Sequence, residues 1–267
     1  MSEALRGLLA IMQRLRAPDG CPWDREQTFA SIAPHAIEEA YEVADAVERG
    51  DMAHFKDELG DLLFQVVFHA EMAKETGLFD FDGVAAAITD KLVRRHPHLF
   101  GGAAPVSAAQ QSAIWEDIKA AERALIPASA ANALAGVPLA LPALLRAHKL
   151  SQRAARVGFD FPLVSETADK VAEELAEVRE AAAACDATPG RAAAAAVFEE
   201  VGDLLFAAAN LARKLDVDAE AALRAANRKF ERRFLAMEQL AAARGEDFSA
   251  LDLRSQEALW QAVKRGE

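Results

Sequence analysis

The chain has 267 residues, of which 52% are hydrophobic and 27% charged, with a net charge of −12 at pH 7. This is the makeup of a globular protein with ample core, which excludes a disordered or fibrous chain. The acidic balance excludes an extended surface that coats nucleic acid. Alanine-rich segments and sparse β-branched runs predict an all-α fold, and the length allows two domains of ordinary size.

Residues 2–16 predict an amphipathic helix with Leu5, Leu8, Leu9, Met12 and Leu15 on one face. Two prolines and a glycine make Ala17 to Asp24 a loop. A helix is predicted to follow Pro34, with Glu38, Glu39 and Glu42 on one side and Ile37, Ala40, Tyr41, Ala44 and Val47 on the other. Arg49-Gly50-Asp51 is a turn whose aspartate caps the next helix, which runs to about Thr76 with Gly77 as its stop. That helix is apolar nearly all round, so it is expected in the interior. Its one polar strip carries Glu58, Asp61 and Gln65. Further helices are predicted from Asp82 to His96, ended by Pro97, and around Trp115 and Lys119.

The proline-rich stretch from Pro127 to Pro142 places a linker over residues 125–143, between modules spanning 1–124 and 144–267. The second module replays the order of the first. A helix starts near Leu144, an acidic helix spans about Glu166 to Ala184, and the helix of Glu200 and Asp203 follows Gly190. A basic helix then carries Lys229 and Arg233, and a last helix carries Trp260 and Lys264. Glu38 to Glu173 is 135 residues, Glu58 to Glu200 is 142, Lys91 to Lys229 is 138 and Trp115 to Trp260 is 145. Two copies of this length make a duplicated module, not a solenoid.

Each module thus holds a Glu-Glu-x-x-Glu cluster and a Glu-x-x-Asp pair. Interior carboxylates must be paired or bound to a cation. Residues three apart on a helix project from adjacent turns. Glu174, Glu177, Glu200 and Asp203 on two facing helices therefore surround one or two ions, as do Glu39, Glu42, Glu58 and Asp61. Oxygen ligands with room for phosphates and water suit Mg²⁺. A di-iron site would need Glu-x-x-His, and no histidine stands three residues after a glutamate. Lys229 and Arg233, like Lys91 and Arg95, are spaced to grip successive phosphates or to sit as ordinary surface charge. Trp260 with Lys264, like Trp115 with Lys119, either stacks a base or anchors a core.

The doubled acidic motif resembles the MazG nucleoside triphosphate pyrophosphohydrolases, together with Met12-Gln-Arg-Leu-Arg16, Gly20-Cys-Pro-Trp-Asp24, Gln27-Thr28 and Arg94-Arg-His-Pro-His98. The resemblance covers both modules. It implies four-helix-type cores that dimerise, and hydrolysis of nucleoside triphosphates to monophosphate and pyrophosphate with Mg²⁺, or Mn²⁺ in its place, and broad base tolerance. By position it implies Glu174, Glu177, Glu200 and Asp203 as metal ligands. Lys170, Glu173, Lys229, Arg233, Trp260 and Lys264 would hold the nucleotide, with Glu173, Glu177, Lys229 and Arg233 in the catalytic step. It makes the C-terminal module the catalytic one. A possible second site in the first module comprises Glu38, Glu39, Glu42, Glu58, Asp61, Lys91, Arg95, Trp115 and Lys119, with His35 where the second has Lys170. Two other readings stand beside it: an enzyme narrowed to pyrimidine deoxynucleotides, and a non-catalytic acidic scaffold for a basic partner. No stretch approaches the ~20 apolar residues of a membrane span, and the N-terminus lacks the pattern of an export signal. Cys21 and Cys185 read as reduced thiols. The expected compartment is the cytoplasm.

Overall fold

The computed structural model describes residues 2–102, 107, 110, 111, 114, 115, 118, 122 and 132–267. Every regular element among them is helical, and they divide into two compact units, Met1–Glu122 and Arg123–Glu267. The predicted position of Lys119 lies outside the described residues, and so does most of the helix around Trp115.

In the first unit α1 (Glu3–Arg16) starts at Ser2, whose hydroxyl accepts from Leu5 N. A short α2 (Pro22–Glu26) takes the last three residues of the stretch predicted to be loop, because Pro22 stands at a helix N-terminus, where its missing N–H costs nothing. The acidic helix α3 (Phe29–Arg49) begins before Pro34 rather than after it. Thr28 and Ser31 cap each other's backbone in a capping box, which nucleates the helix early enough to carry the proline in its second turn. Gly50, at φ 70°, ends α3, and Asp51 caps α4 (Met52–Glu75) by accepting from His54 N. Then come α5 (Phe81–Arg95) and the single turn α6 (Pro97–Phe100).

The core of this unit is Met12, Ile32, Val67, Phe68 and Met72, where α1 and α3 close on α4. A bidentate ion pair from Arg16 to Glu75, at 2.6 Å to each oxygen, ties α1 to the end of α4. The expectation that α4 is interior all round fails within one chain: Leu59, Leu63 and Val66 are 43%, 39% and 38% exposed. Ile37, Tyr41 and Val47 on α3 are exposed too, so the apolar stripes on both helices face outward.

In the second unit α7 (Ala143–Arg156), α8 (Val164–Ala187) and α9 (Arg191–Lys214) repeat the bundle. Apart from Glu174 its buried positions are small, Ala147, Ser151, Thr167, Ala207 and Ala209, and Leu205 and Phe206 of α9 are 52% and 43% exposed. Asp160 receives Arg213 and Lys214 and so fastens the α7–α8 connection to the end of α9. Residues 134–137 of the proline-rich stretch lie on this unit: Val137 is buried and Arg153 donates to the Ala135 carbonyl. Last come α10 (Ala219–Ala243), a 3₁₀ turn at Phe248–Ala250 and α11 (Leu253–Arg265), packed around Met237, Ala241 and Leu259.

Candidate functional site

Long α8 and α9 pair along their lengths, as α3 and α4 do, and this pairing turns sequence spacing into a site. Glu174 on α8 is 6% exposed, and one oxygen each of Glu174, Glu200 and Asp203 lie within 4.8 Å of one another. In the first unit Glu39, Glu58 and Asp61 do the same, with Glu58 7% exposed. Donors at about 2.1 Å around an octahedral Mg²⁺ stand roughly 3.0 to 4.2 Å apart. Both triads therefore fit a hard divalent cation after small side-chain shifts, and their all-oxygen donor set favours one.

The fourth carboxylate of each cluster stands close by. Burial and then the charge of Glu174 push Glu177 above the usual carboxylate range. Burial pushes Glu39 up, helped by a hydrogen bond shared with Glu42 and by Asp61. Glu58 is also raised, first by burial and then by Glu42. These groups are crowded by like charges in a partly dry place, where bringing in a cation lowers the energy.

The basic residue beside the triad differs between the units. Lys170 Nζ lies 2.7 Å from both Glu173 Oε1 and Glu174 Oε1, and these hydrogen bonds push the ammonium above the usual lysine range. At the matching place His35 pairs at 3.4 Å with Glu38 rather than with a triad member. Glu39 is met instead by Gln65 Nε2 at 3.4 Å, and Glu58 by His54 Nε2 at 3.0 Å.

A sequence model of the MazG nucleotide pyrophosphohydrolase domain matches residues 27–100 and again 164–234. Over 97% of its own length and 97% of the relative's, the chain is 51% identical to the nucleoside triphosphate pyrophosphohydrolase of Escherichia coli strain K12. It is 41% identical to the nucleoside triphosphate pyrophosphohydrolase/pyrophosphatase MazG of Thermotoga maritima, over 97% of this chain and 95% of that one. It is also 40% identical to protein YabN of Bacillus subtilis, over 97% of this chain and 51% of that one. The chain belongs to the MazG family.

Each MazG segment contains its whole carboxylate cluster and its Lys–Arg pair, Lys91 and Arg95 or Lys229 and Arg233. Trp115, Trp260 and Lys264 fall beyond the matched residues. In the second unit the predicted nucleotide residues form two groups. Lys170 and Glu173 sit beside the triad, as above. Arg233 is held on the α10–α11 hairpin, with Nε and one terminal nitrogen on Glu267 at 3.0 and 2.6 Å and its guanidinium 5.5 Å over the Trp260 ring. Trp260 packs on the Met237–Leu259 cluster and meets Phe230 at 5.7 Å between ring centres, so in this chain it is a core anchor. Lys229 and Lys264 are exposed, one turn before Arg233 and one turn after Trp260.

The first unit repeats the contact between paired arginines and a glutamate. Arg94 and Arg95 close on Glu122, with pairs at 2.6 and 2.5 Å, and Trp115 Nε1 donates to the Arg95 carbonyl. Lys91 is exposed. Glu122 and Glu267 are each pulled down to about 2 by their two arginines. Sequence reasoning missed these paired arginine clamps, although Arg-Arg recurs at 94–95 and 232–233 and a glutamate stands 145 residues apart at 122 and 267. It also missed a cavity of about 400 Å³ lined by Leu134, Leu150, Phe159, Phe161, Phe206 and Asn210. Phe206 is one turn beyond Asp203, and Phe161 also borders the shallow pocket holding Lys170 and Glu173.

Proposed function

We propose that the unit Arg123–Glu267 hydrolyses nucleoside triphosphates to the monophosphate and pyrophosphate with Mg²⁺, with Mn²⁺ able to replace it. The observation that carries this is the triad of Glu174, Glu200 and Asp203, backed by Glu177 and flanked by Lys170, in a chain 51% identical to a nucleoside triphosphate pyrophosphohydrolase. Glu174, Glu177, Glu200 and Asp203 would hold the ion. When bound, the ion supplies neutralisation of the triphosphate charge and polarisation of the attacked phosphorus.

The chain's own groups do the rest. Glu173 or Glu177 takes the proton from the attacking water. Lys170, now committed to Glu173 and Glu174, turns to phosphate oxygens when the ligand carboxylates receive their cation. Lys229 and Arg233 stabilise charge on the leaving pyrophosphate, and Arg233 exchanges Glu267 for phosphate to do so. Lys264 extends that basic wall, and Trp260 anchors it from the core beneath Arg233. The mostly apolar cavity beside Phe206 receives a flat ring by contact rather than by a fixed set of hydrogen bonds, which supports broad base tolerance.

The exposed apolar stripes on α3, α4 and α9 support a homodimer. Among the described residues no helix is long and apolar enough to cross a membrane, and the cytoplasm is the proposed compartment. Residues 125–143 are proposed as the link between modules spanning 1–124 and 144–267. Product analysis of ATP incubated with the protein and Mg²⁺ tests the activity. AMP with pyrophosphate supports it, whereas ADP with phosphate, or no Mg²⁺-dependent turnover of any triphosphate, refutes it. Side-by-side rates on purine and pyrimidine triphosphates test the base tolerance.

A further inference from the structure

The two triads match in sequence position and in the closeness of their oxygens, within 4.8 Å in each, and their surroundings differ. In the second unit the Lys170 ammonium sits 2.7 Å from Glu174, one of the three ligand carboxylates, so an arriving divalent ion meets a positive charge already in place. In the first unit the matching residue is His35, paired at 3.4 Å with Glu38, which is not a member of the triad. Two further positions differ. His54 and Gln65 of α4 correspond, at the 142-residue offset of Glu58 to Glu200, to Ala196 and Ala207 of α9.

Gln65 adds an observation independent of the acidic cluster. It is 7% exposed, its amide nitrogen donates to Glu39, and the Oε1 of the same amide is buried without a hydrogen-bond partner. An unpaired buried acceptor costs free energy. Beside three carboxylates, a cation or a water held by a cation satisfies it. Asp61 and Gln65 are four apart on α4, and the Gln65 amide touches Glu39, so this side chain belongs to the same strip as the ligands. His54 Nε2, 3.0 Å from Glu58 Oε1, fixes the second ligand in place.

We infer that the first unit is the tighter divalent-cation site, loaded without nucleotide, while the second takes its cation weakly until a triphosphate draws Lys170 away. The inference rests on the proposed metal role of the triads but not on turnover. Removing one unit charge a few ångströms from a doubly charged ion changes affinity by about tenfold or more, even with strong solvent screening.

The test is a Mn²⁺ titration of the full chain without nucleotide, followed by electron paramagnetic resonance of the free ion. It is run at one fixed pH for the wild type and every variant. Two affinity classes are expected. Glu58→Gln removes the tight class and Glu200→Gln the weak one. Lys170→Gln tightens the weak class about tenfold and leaves the tight class unchanged. Gln65→Leu weakens the tight class and, keeping every carboxylate, serves where Glu58→Gln does not fold by circular dichroism. A tight class lost with Glu200→Gln, two sites of equal affinity, or a weak class indifferent to Lys170→Gln overturns the inference. If binding follows the expected pattern and ATP is not hydrolysed, the proposed function fails and this inference stands. If ATP is hydrolysed and the tight class follows Glu200, only the inference fails.

Discussion

Glu200→Gln separates stability from activity in this protein, and the two should move in opposite directions. Glu200 has an oxygen within 4.8 Å of both Glu174 and Asp203. At that distance each pair of like charges repels by ~0.9 kcal/mol in bulk water and by ~3.5 kcal/mol at an effective dielectric of 20. Glutamine keeps the shape and removes both repulsions. Taking the water limit, since Asp203 is exposed, the metal-free variant gains about 2 kcal/mol. For a unit of this size that raises its melting temperature by roughly 4–8 °C. Wild type recovers the difference when Mg²⁺ is added, because saturation at a hundred times the dissociation constant contributes about 2.7 kcal/mol. The assay is differential scanning calorimetry of both proteins, with chelator and with Mg²⁺, beside ATP turnover. The variant should melt higher in chelator, respond less to Mg²⁺ and hydrolyse nothing. A variant that melts lower in chelator, or that turns over ATP at the wild-type rate, refutes the reasoning.

Leu63 and Leu205 occupy matching places on α4 and α9 and are 39% and 52% exposed. Glutamate at both should shift the protein from dimer to monomer in sedimentation velocity at micromolar concentration while helicity is kept; a wild-type protein that sediments as a monomer sinks the dimer. Glu267 is held down to about 2 by Arg233 and Arg232. Its stabilisation is present above the ordinary carboxylate range near 4.5 and is lost as pH falls from there toward 2. Glu267→Gln should flatten that limb of the melting-temperature profile and, by releasing Arg233, lower KM for ATP more than it changes kcat. Burial lowers His69, which stacks on Phe29 at 5.9 Å. The unfolded chain takes up this proton first, so stability falls as pH drops through about 6.5. His69→Phe keeps the ring and should reduce that slope, read from melting curves between pH 5 and 8.

The helices were legible because their signals are local. Gly50 and Asp51 end one helix and cap the next through their own backbone and side chain. Pro34 was misread because its local signal, a helix break, loses to the Thr28–Ser31 capping box one turn earlier. The apolar character of α4 was read correctly and its consequence wrongly. Hydrophobicity on all sides does not say what packs on each side, and Leu59, Leu63 and Val66 are exposed.

The triads were legible for a different reason. Two residues three apart on each of two facing helices need only that the helices pair, and α8 with α9 or α3 with α4 are the closest pairings of the bundle. What surrounds a triad comes from register between helices, which no spacing encodes. Gln65 reaches Glu39 across 26 positions of sequence and Arg233 reaches Glu267 across 34. The duplication supplies the missing comparison. The carboxylates recur, at an offset of 135 on one helix and 142 on the next, and in each unit three of their oxygens come within 4.8 Å of one another. Where a neighbour changes, from His35 to Lys170, from His54 to Ala196, or from Gln65 to Ala207, the change is in charge and hydrogen bonding around an unchanged frame. Cation affinity responds to such changes by about ten- to a hundredfold. The two units can therefore share one fold and differ in what they hold at rest.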